Sequence, residues 1–244
     1  MKLSKQLMLA LSALVILVGL KGGSRAAGQF ADTLGKSDSL SAYIENVRLT
    51  LIGRYGMRFQ LDKNGIPISI EGELSKGITA IDPIEMAYQF FELNKDLYRI
   101  ESPRDELIVK GIIEGGELGT TIKLGQVVGG IRVDSRGFIL QYGRAKKLWC
   151  VDGQIDPEAR QVNTTPAISE ERAKGIAVAD QRTKRALKPS IAEAELLIGR
   201  FDNKMRLVWH LGLTEVVGVG SWYYYIDAHS GKVMQVESAV ATDF

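Results

Sequence analysis

The chain holds one cysteine and two histidines in 244 residues, and neither charge is in surplus: 31 Lys and Arg stand against 29 Asp and Glu. Each shortage excludes something. A single thiol closes no internal disulfide, so the core must hold without covalent staples. Cys150 lies in the apolar, strand-like run Lys147-Leu148-Trp149-Cys150-Val151. That setting predicts a buried, inert thiol, neither nucleophile nor metal ligand. His210 and His229 belong to no His-Glu-x-x-His helix, and Gly-x-Ser-x-Gly and Cys-x-x-Cys are missing as well. Gly115-Gly116 and Gly129-Gly130 read as turns, since neither opens a strand–helix unit with the spacing of a phosphate cradle. No cofactor, no metal ligand and no catalytic residue is expected, and the chain reads as a non-enzyme.

What is present begins with a targeting pattern. Lys2 and Lys5 precede the apolar run Leu7–Leu20, and Ser24-Arg25-Ala26 then offers small residues for cleavage. The run is shorter than the ~18–20 residues that span a bilayer comfortably, which predicts a signal peptide over residues 1–27. An uncleaved anchor stays open, because Lys21 and Arg25 follow the run. The leader carries four of the 31 basic residues, which leaves 27 against 29 acidic ones and a formal charge of −2. Nucleic acid is therefore not expected as a partner, nor is an integral membrane span once the leader is removed. The expected location is exported, periplasmic or extracellular.

The rest alternates helical and strand periodicities. Residues 28–54 read as an N-terminal segment with a helix over Ser39–Ile52, from the spacing of Leu40, Tyr43, Ile44, Val47 and Leu51. Met57–Leu61 and Ile66–Ile70 flank Asn64-Gly65, whose tolerance of positive φ predicts a tight hairpin. Asp82 and Pro83 start a helix, with Glu85 placed to close a capping box and Ile84, Ala87, Tyr88 and Phe91 as the apolar stripe. Strands are expected at Leu107–Ile113, Thr121–Val128, Phe138–Tyr142 and Lys147–Val151. Residues 152–168 are polar with two prolines and read as a linker. A helix over Ser169–Leu187, closed by Pro189, precedes strands at Glu195–Arg200, Met205–Leu213, Trp222–Ile226 and Lys232–Val236. The fold class is α+β, in two units that each combine a helix with an antiparallel sheet.

Other patterns have a bland reading beside the chemical one. Asp105-Glu106 and Glu170-Glu171 are neighbours that cannot face one substrate together, and solvated charge accounts for both. In Trp222-Tyr223-Tyr224-Tyr225, strand alternation splits the rings between two faces, which favours core packing over a stacking platform. His210 opposes Leu207, Trp209, Leu211 and Leu213 on its strand and reads as a solvent-facing or hydrogen-bonded histidine. His229 sits in the turn Asp227-Ala228-His229-Ser230-Gly231. Asn163-Thr164-Thr165 is a formal glycosylation sequon.

Two blocks carry a family resemblance. Helix, Asn94-x-x-Leu97-Tyr98-x-Ile100, Ser102-Pro103, Glu106-Leu107 and a strand reaching Gln126 before Gly130 resemble the fungalysin/thermolysin propeptide (FTP) domain. Ile122-Lys123 and Arg132 depart from that pattern. Farther on, Arg206-Leu207-Val208-Trp209 and Tyr225-Ile226-Asp227-Ala228-x-x-Gly231 resemble a PepSY domain. Their order resembles the proregion of thermolysin-like metallopeptidases, and the resemblance implies an FTP-like domain over 55–151, a PepSY domain over 169–237 and a tail over 238–244. No peptidase follows in this sequence. The resemblance thus implies binding of an exported metallopeptidase or another envelope protein in a separate chain, inhibiting it or assisting its folding. A strand edge or the tail after Val236 would fill the partner's cleft. The competing expectation is an envelope structural or ligand-binding module unrelated to proteolysis. Motif positions nominate Gln126, Trp209, Trp222, Tyr224 and Asp227 as partner-binding residues. Beside that stands a structural reading, with Trp209 in the core and Asp227 shaping its turn.

Overall fold

A computed structural model describes residues 36–55, 58–115, 119–143, 146–185, 189–215 and 221–238. The expected leader, the residues up to 35 and the tail 239–244 lie outside the described residues. The chain divides into two compact units, residues up to Thr50 and Leu51–Phe244. Helix α1 (Lys36–Tyr55) crosses that division and covers the expected helix. Of its apolar stripe Val47 and Leu51 are buried, whereas Leu40 is exposed.

In the second unit, β1 (Arg58–Leu61) and β2 (Pro67–Glu71) pair as the expected hairpin. The turn is built differently from the simple Asn-Gly type. Asp62 Oδ1 accepts the N–H groups of Asn64 and Ile66 at 2.8 Å each. Gly65 alone takes a positive φ, and the ladder shifts register at Gln60/Leu61. Helix α2 (Pro83–Leu93) is capped as expected, with Asp82 Oδ1 accepting from Ile84 N–H at 2.9 Å and Glu85 N–H at 3.0 Å. Two details differ. Glu85 closes no capping box, because Arg104 takes its carboxylate. The buried face is Met86, Ala87, Phe90 and Phe91, turned away from Ile84 and Tyr88. Tyr88 instead lies at the rim, where its hydroxyl donates to the Leu107 carbonyl at 3.1 Å and Arg104 sits over its ring.

Strands β3 (Leu107–Glu114), β4 (Thr120–Val128), β5 (Ile131–Tyr142) and β6 (Leu148–Gln154) complete an antiparallel layer ordered β1-β2-β6-β5-β4-β3. Its core is aromatic. Phe91 lies 4.4 Å from Phe138, and Tyr98 meets both rings edge-on at 5.2 Å. Helix α3 (Glu170–Arg185) leads into the antiparallel run β7 (Pro189–Phe201), β8 (Lys204–Glu215), β9 (Ser221–Asp227) and β10 (Val233–Ser238). The class is α+β, as expected. A short parallel pairing of Arg132 with Leu197 and Val133 with Ile198 joins both layers into one mixed sheet. Nothing in the sequence announces that join.

The residues read as a linker carry structure. Asp152–Gln154 are the last rungs of β6, and Pro157–Gln161 form a 3₁₀ turn capped by Asp156. Ala159 is buried in a cluster with Val133, Ile198, Leu207 and Ala228.

Candidate functional site

Gln126 is fully buried on β4 and grips both backbone groups of Asp156, the residue that caps the 3₁₀ turn. Its Nε2 donates to the Asp156 carbonyl at 2.9 Å, and its Oε1 accepts the Asp156 N–H at 2.8 Å. The Asp156 carboxylate in turn takes Arg200 of β7, with Nη2 at 2.6 Å. Arg200 also reaches Glu158 at 2.7 Å. The chain Gln126–Asp156–Arg200 therefore ties β4 to β7 through the turn. A Gln126→Leu substitution would strand two buried backbone groups. Its expected cost is about 2–3 kcal/mol, read from urea unfolding.

Trp209 is half-buried, and its Nε1 donates to the Ile168 carbonyl at 3.1 Å. Trp222 and Tyr224 are buried on the β9 face that meets Ala173 and Ala177 of α3. The Tyr224 hydroxyl donates to Asp180 Oδ2 at 2.8 Å. On the opposite face Tyr223 and Tyr225 flank the His210 ring, with centroids 5.1 and 4.7 Å away. His210 Nδ1 lies 3.2 Å from Glu195 Oε1, which Arg132 also engages at 2.6 Å. Burial works against the Glu195 charge, but Arg132 and then His210 outweigh it and hold that carboxyl below the usual range.

Asp227 ends β9 and organises the turn to β10. Its Oδ1 accepts from His229 N–H at 3.1 Å, Ser230 N–H at 2.8 Å and the Ser230 hydroxyl at 2.9 Å. Gly231, at φ 74°, donates its N–H to the Asp227 carbonyl at 2.9 Å, a backbone conformation that a side chain would strain. Asp227 Oδ2 meets Arg206 Nη1 of β8 at 3.0 Å. The register pairs Val208 with Asp227, which brings Arg206 alongside. Burial opposes the Asp227 charge. The Ser230 and His229 donors and Arg206 nonetheless hold its carboxyl below the ordinary aspartate range.

Beside this pair opens a cavity of about 480 Å³, lined among others by Glu158, Asn163, Lys204, Arg206, Asp227 and His229. Arg206 Nε is buried and meets no hydrogen-bond partner among the described residues. Of the five nominated residues only Asp227 lines this cavity. Trp209, Trp222 and Tyr224 belong to the α3 side of the sheet, and Gln126 lies on the other layer. Lys204 and Glu158 escaped the sequence reading because only the β7–β8 turn and the 3₁₀ turn bring them beside Asp227. An Arg near the start of one strand and an Asp at the end of its antiparallel neighbour is the signal that could have found the site.

Cys150 is buried, with Sγ 3.2 Å from Asp152 Oδ2. Burial and the neighbouring Asp152 push its thiol up to about 12. Alkylation by iodoacetamide at pH 8 is expected to be negligible in the folded chain and complete in urea, read by mass spectrometry. Among the described residues no three His, Cys, Asp or Glu side chains gather as a metal site. Among them, too, no helix is long and apolar enough to cross a membrane.

Residues 167–237 match the model of the PepSY family, the peptidase propeptide and YPEB domain. A stretch of 131 residues is 28% identical to neutral protease B of Bacillus subtilis (strain 168), covering 50% of this chain and 23% of that protein. The chain thus spans under a quarter of the curated relative it matches. The solved C-terminal domain of Bacillus megaterium YpeB aligns over 81% of this chain and 96% of its own, at 14% identity and a TM-score of 0.34.

Proposed function

We propose that this chain is an exported, non-enzymatic, propeptide-like protein that binds a peptidase in a separate chain and modulates it. The observation that carries this reading is the coincidence of the PepSY match with the layer α3, β7–β10. The likeness to part of a protein named as a protease supports it. In this reading residues 1–27 are a cleaved leader, 55–151 an FTP-like domain, 152–168 the connection and 169–237 the PepSY domain.

The geometry supplies a surface suited to a protein partner. Among the described residues β10 pairs with β9 and with no strand on its other side, and Gln235, Val236 and Glu237 are exposed. An extended segment of a peptidase can add to such an edge through main-chain hydrogen bonds. The cavity beside Arg206 and Asp227 lies at the β9–β10 turn and would take a polar side chain of that segment. Gln126, Trp222 and Tyr224 would serve binding by holding this surface in shape, and Trp209 by closing its inner side.

The test uses the chain as bait on the exported proteins of its native organism, with captured species identified by mass spectrometry. A captured peptidase whose activity falls with added chain, or whose refolding yield rises, is the expected result. Capture of envelope-assembly or signalling proteins alone would replace this reading with that of an envelope module.

A further inference from the structure

A second recess lies on the other layer, on the sheet face turned away from α2. Phe138 points inward to Phe91, so its strand neighbour Ile139 points out, in register with Lys123 of β4 and Asp152 of β6. Around Ile139 opens a groove of about 420 Å³ whose lining includes Lys110, Lys123, Arg136, Gly137 and Gly153. Glycines leave stretches of backbone exposed in its floor. Gly125 faces Gly137 across β4 and β5, and Gly153 faces Phe138 across β5 and β6. Gly137 has φ 147°, and a Cβ there would fall 2.0 Å from the Leu124 carbonyl oxygen. At Gly125 a Cβ would meet Lys110 Cδ at 2.5 Å, so the Lys110 stem lies across the floor.

The charge around this floor is mainly positive, three cations against one carboxylate. Among the described residues Lys110, Lys123 and Arg136 pair with no carboxylate. The one carboxylate in the lining, Asp152, is engaged by the Ser69 hydroxyl at 2.6 Å and the Cys150 thiol at 3.2 Å. Three like charges on one recess repel, and an anionic occupant relieves them. Ile139 and Ile108 stay 40% and 43% exposed on the same face. That apolar flank adds contact for a chain that carries apolar groups between its charges.

We propose that this groove binds an extended, acidic peptide segment of a partner protein, its carboxylates on Lys110, Lys123 and Arg136 and its apolar side chains on Ile139 and Ile108. The proposal does not require the partner to be a peptidase. It concerns a layer outside residues 167–237, so its failure and that of the reading above are separable.

The probe is a fluorescein-labelled eight-residue peptide alternating Glu and Val, titrated with the full chain and followed by anisotropy. Binding that weakens about fivefold in each of Lys123→Glu and Arg136→Glu, and again as salt is raised, is expected. Competing peptide with Gln in place of Glu should not displace it. Amide shifts confined to Gly125, Gly137, Gly153 and their neighbours in the unmodified chain locate the site independently of any variant. Equal binding of the Gln peptide, unchanged affinity in both folded variants, or binding only to phosphatidylglycerol vesicles or inorganic phosphate would overturn it.

Discussion

Trp222→Ala is expected to lower the unfolding free energy by about 3–5 kcal/mol, the range for a large aromatic removed from a core. Trp222 is 6% exposed, and it shares a cluster with Leu211, Leu213, Tyr224 and Ile226 against Ala173 and Ala177. Deleting the indole opens a void between α3 and the sheet that two alanines cannot collapse to fill. Tyr224→Phe, which removes only the hydroxyl held by Asp180, should cost about 1 kcal/mol. Urea denaturation of both variants checks the pair, with an unchanged slope showing that the unfolded states are comparable. A Trp222→Ala chain as stable as the parent would move Trp222 from the core to a contact surface.

The aromatic run of β9 was legible in the sequence because strand alternation is a two-residue rule that tertiary context seldom alters. Trp222 and Tyr224 went to one face, and Tyr223 and Tyr225 to the other beside His210. Helix α2 was legible in its start, through Asp82 and Pro83, and in only half of its buried face, Ala87 and Phe91. Ile84 and Tyr88 fit a stripe as well as Met86 and Phe90 do, and the choice was made by the Phe91–Tyr98–Phe138 cluster, which is non-local. The polar stretch after β6 misled for a related reason. Asp156 has the look of loop chemistry, yet Gln126 and Arg200, 30 and 44 residues away, satisfy its groups in the interior. Composition records that a residue is polar and is silent on whether its partner is water or protein. The β5–β7 join was illegible because its four residues carry no mark of parallel pairing.

For Asp227→Ala the expected loss is about 3–4 kcal/mol, because the carboxylate joins two strands and a turn at once. Three hydrogen bonds from His229 and Ser230 lose their acceptor. Arg206 loses the one carboxylate it meets among the described residues, where its Nε is already buried without a partner. The full cost of stranding a buried charge is not reached, since the Arg206 side chain keeps 33% of its surface in water. Asp227→Asn separates charge from shape: a carbonyl oxygen can still accept from the turn, but the amide offers Arg206 no charge. The pH dependence follows from the lowered folded-state pKa, caused by the Ser230, His229 and Arg206 contacts outweighing burial. A depressed carboxyl stabilises the fold fully above its unfolded value, near 3.8, and that stabilisation fades as pH falls through the lower folded value. The stability gap between parent and Asp227→Asn should therefore be constant from pH 7 down to about 5 and narrow below about 4. Urea midpoints of both proteins across that range measure it. A gap that persists unchanged at pH 3 would mean the carboxylate holds the turn by its oxygens alone, with its charge contributing nothing to the Arg206 contact.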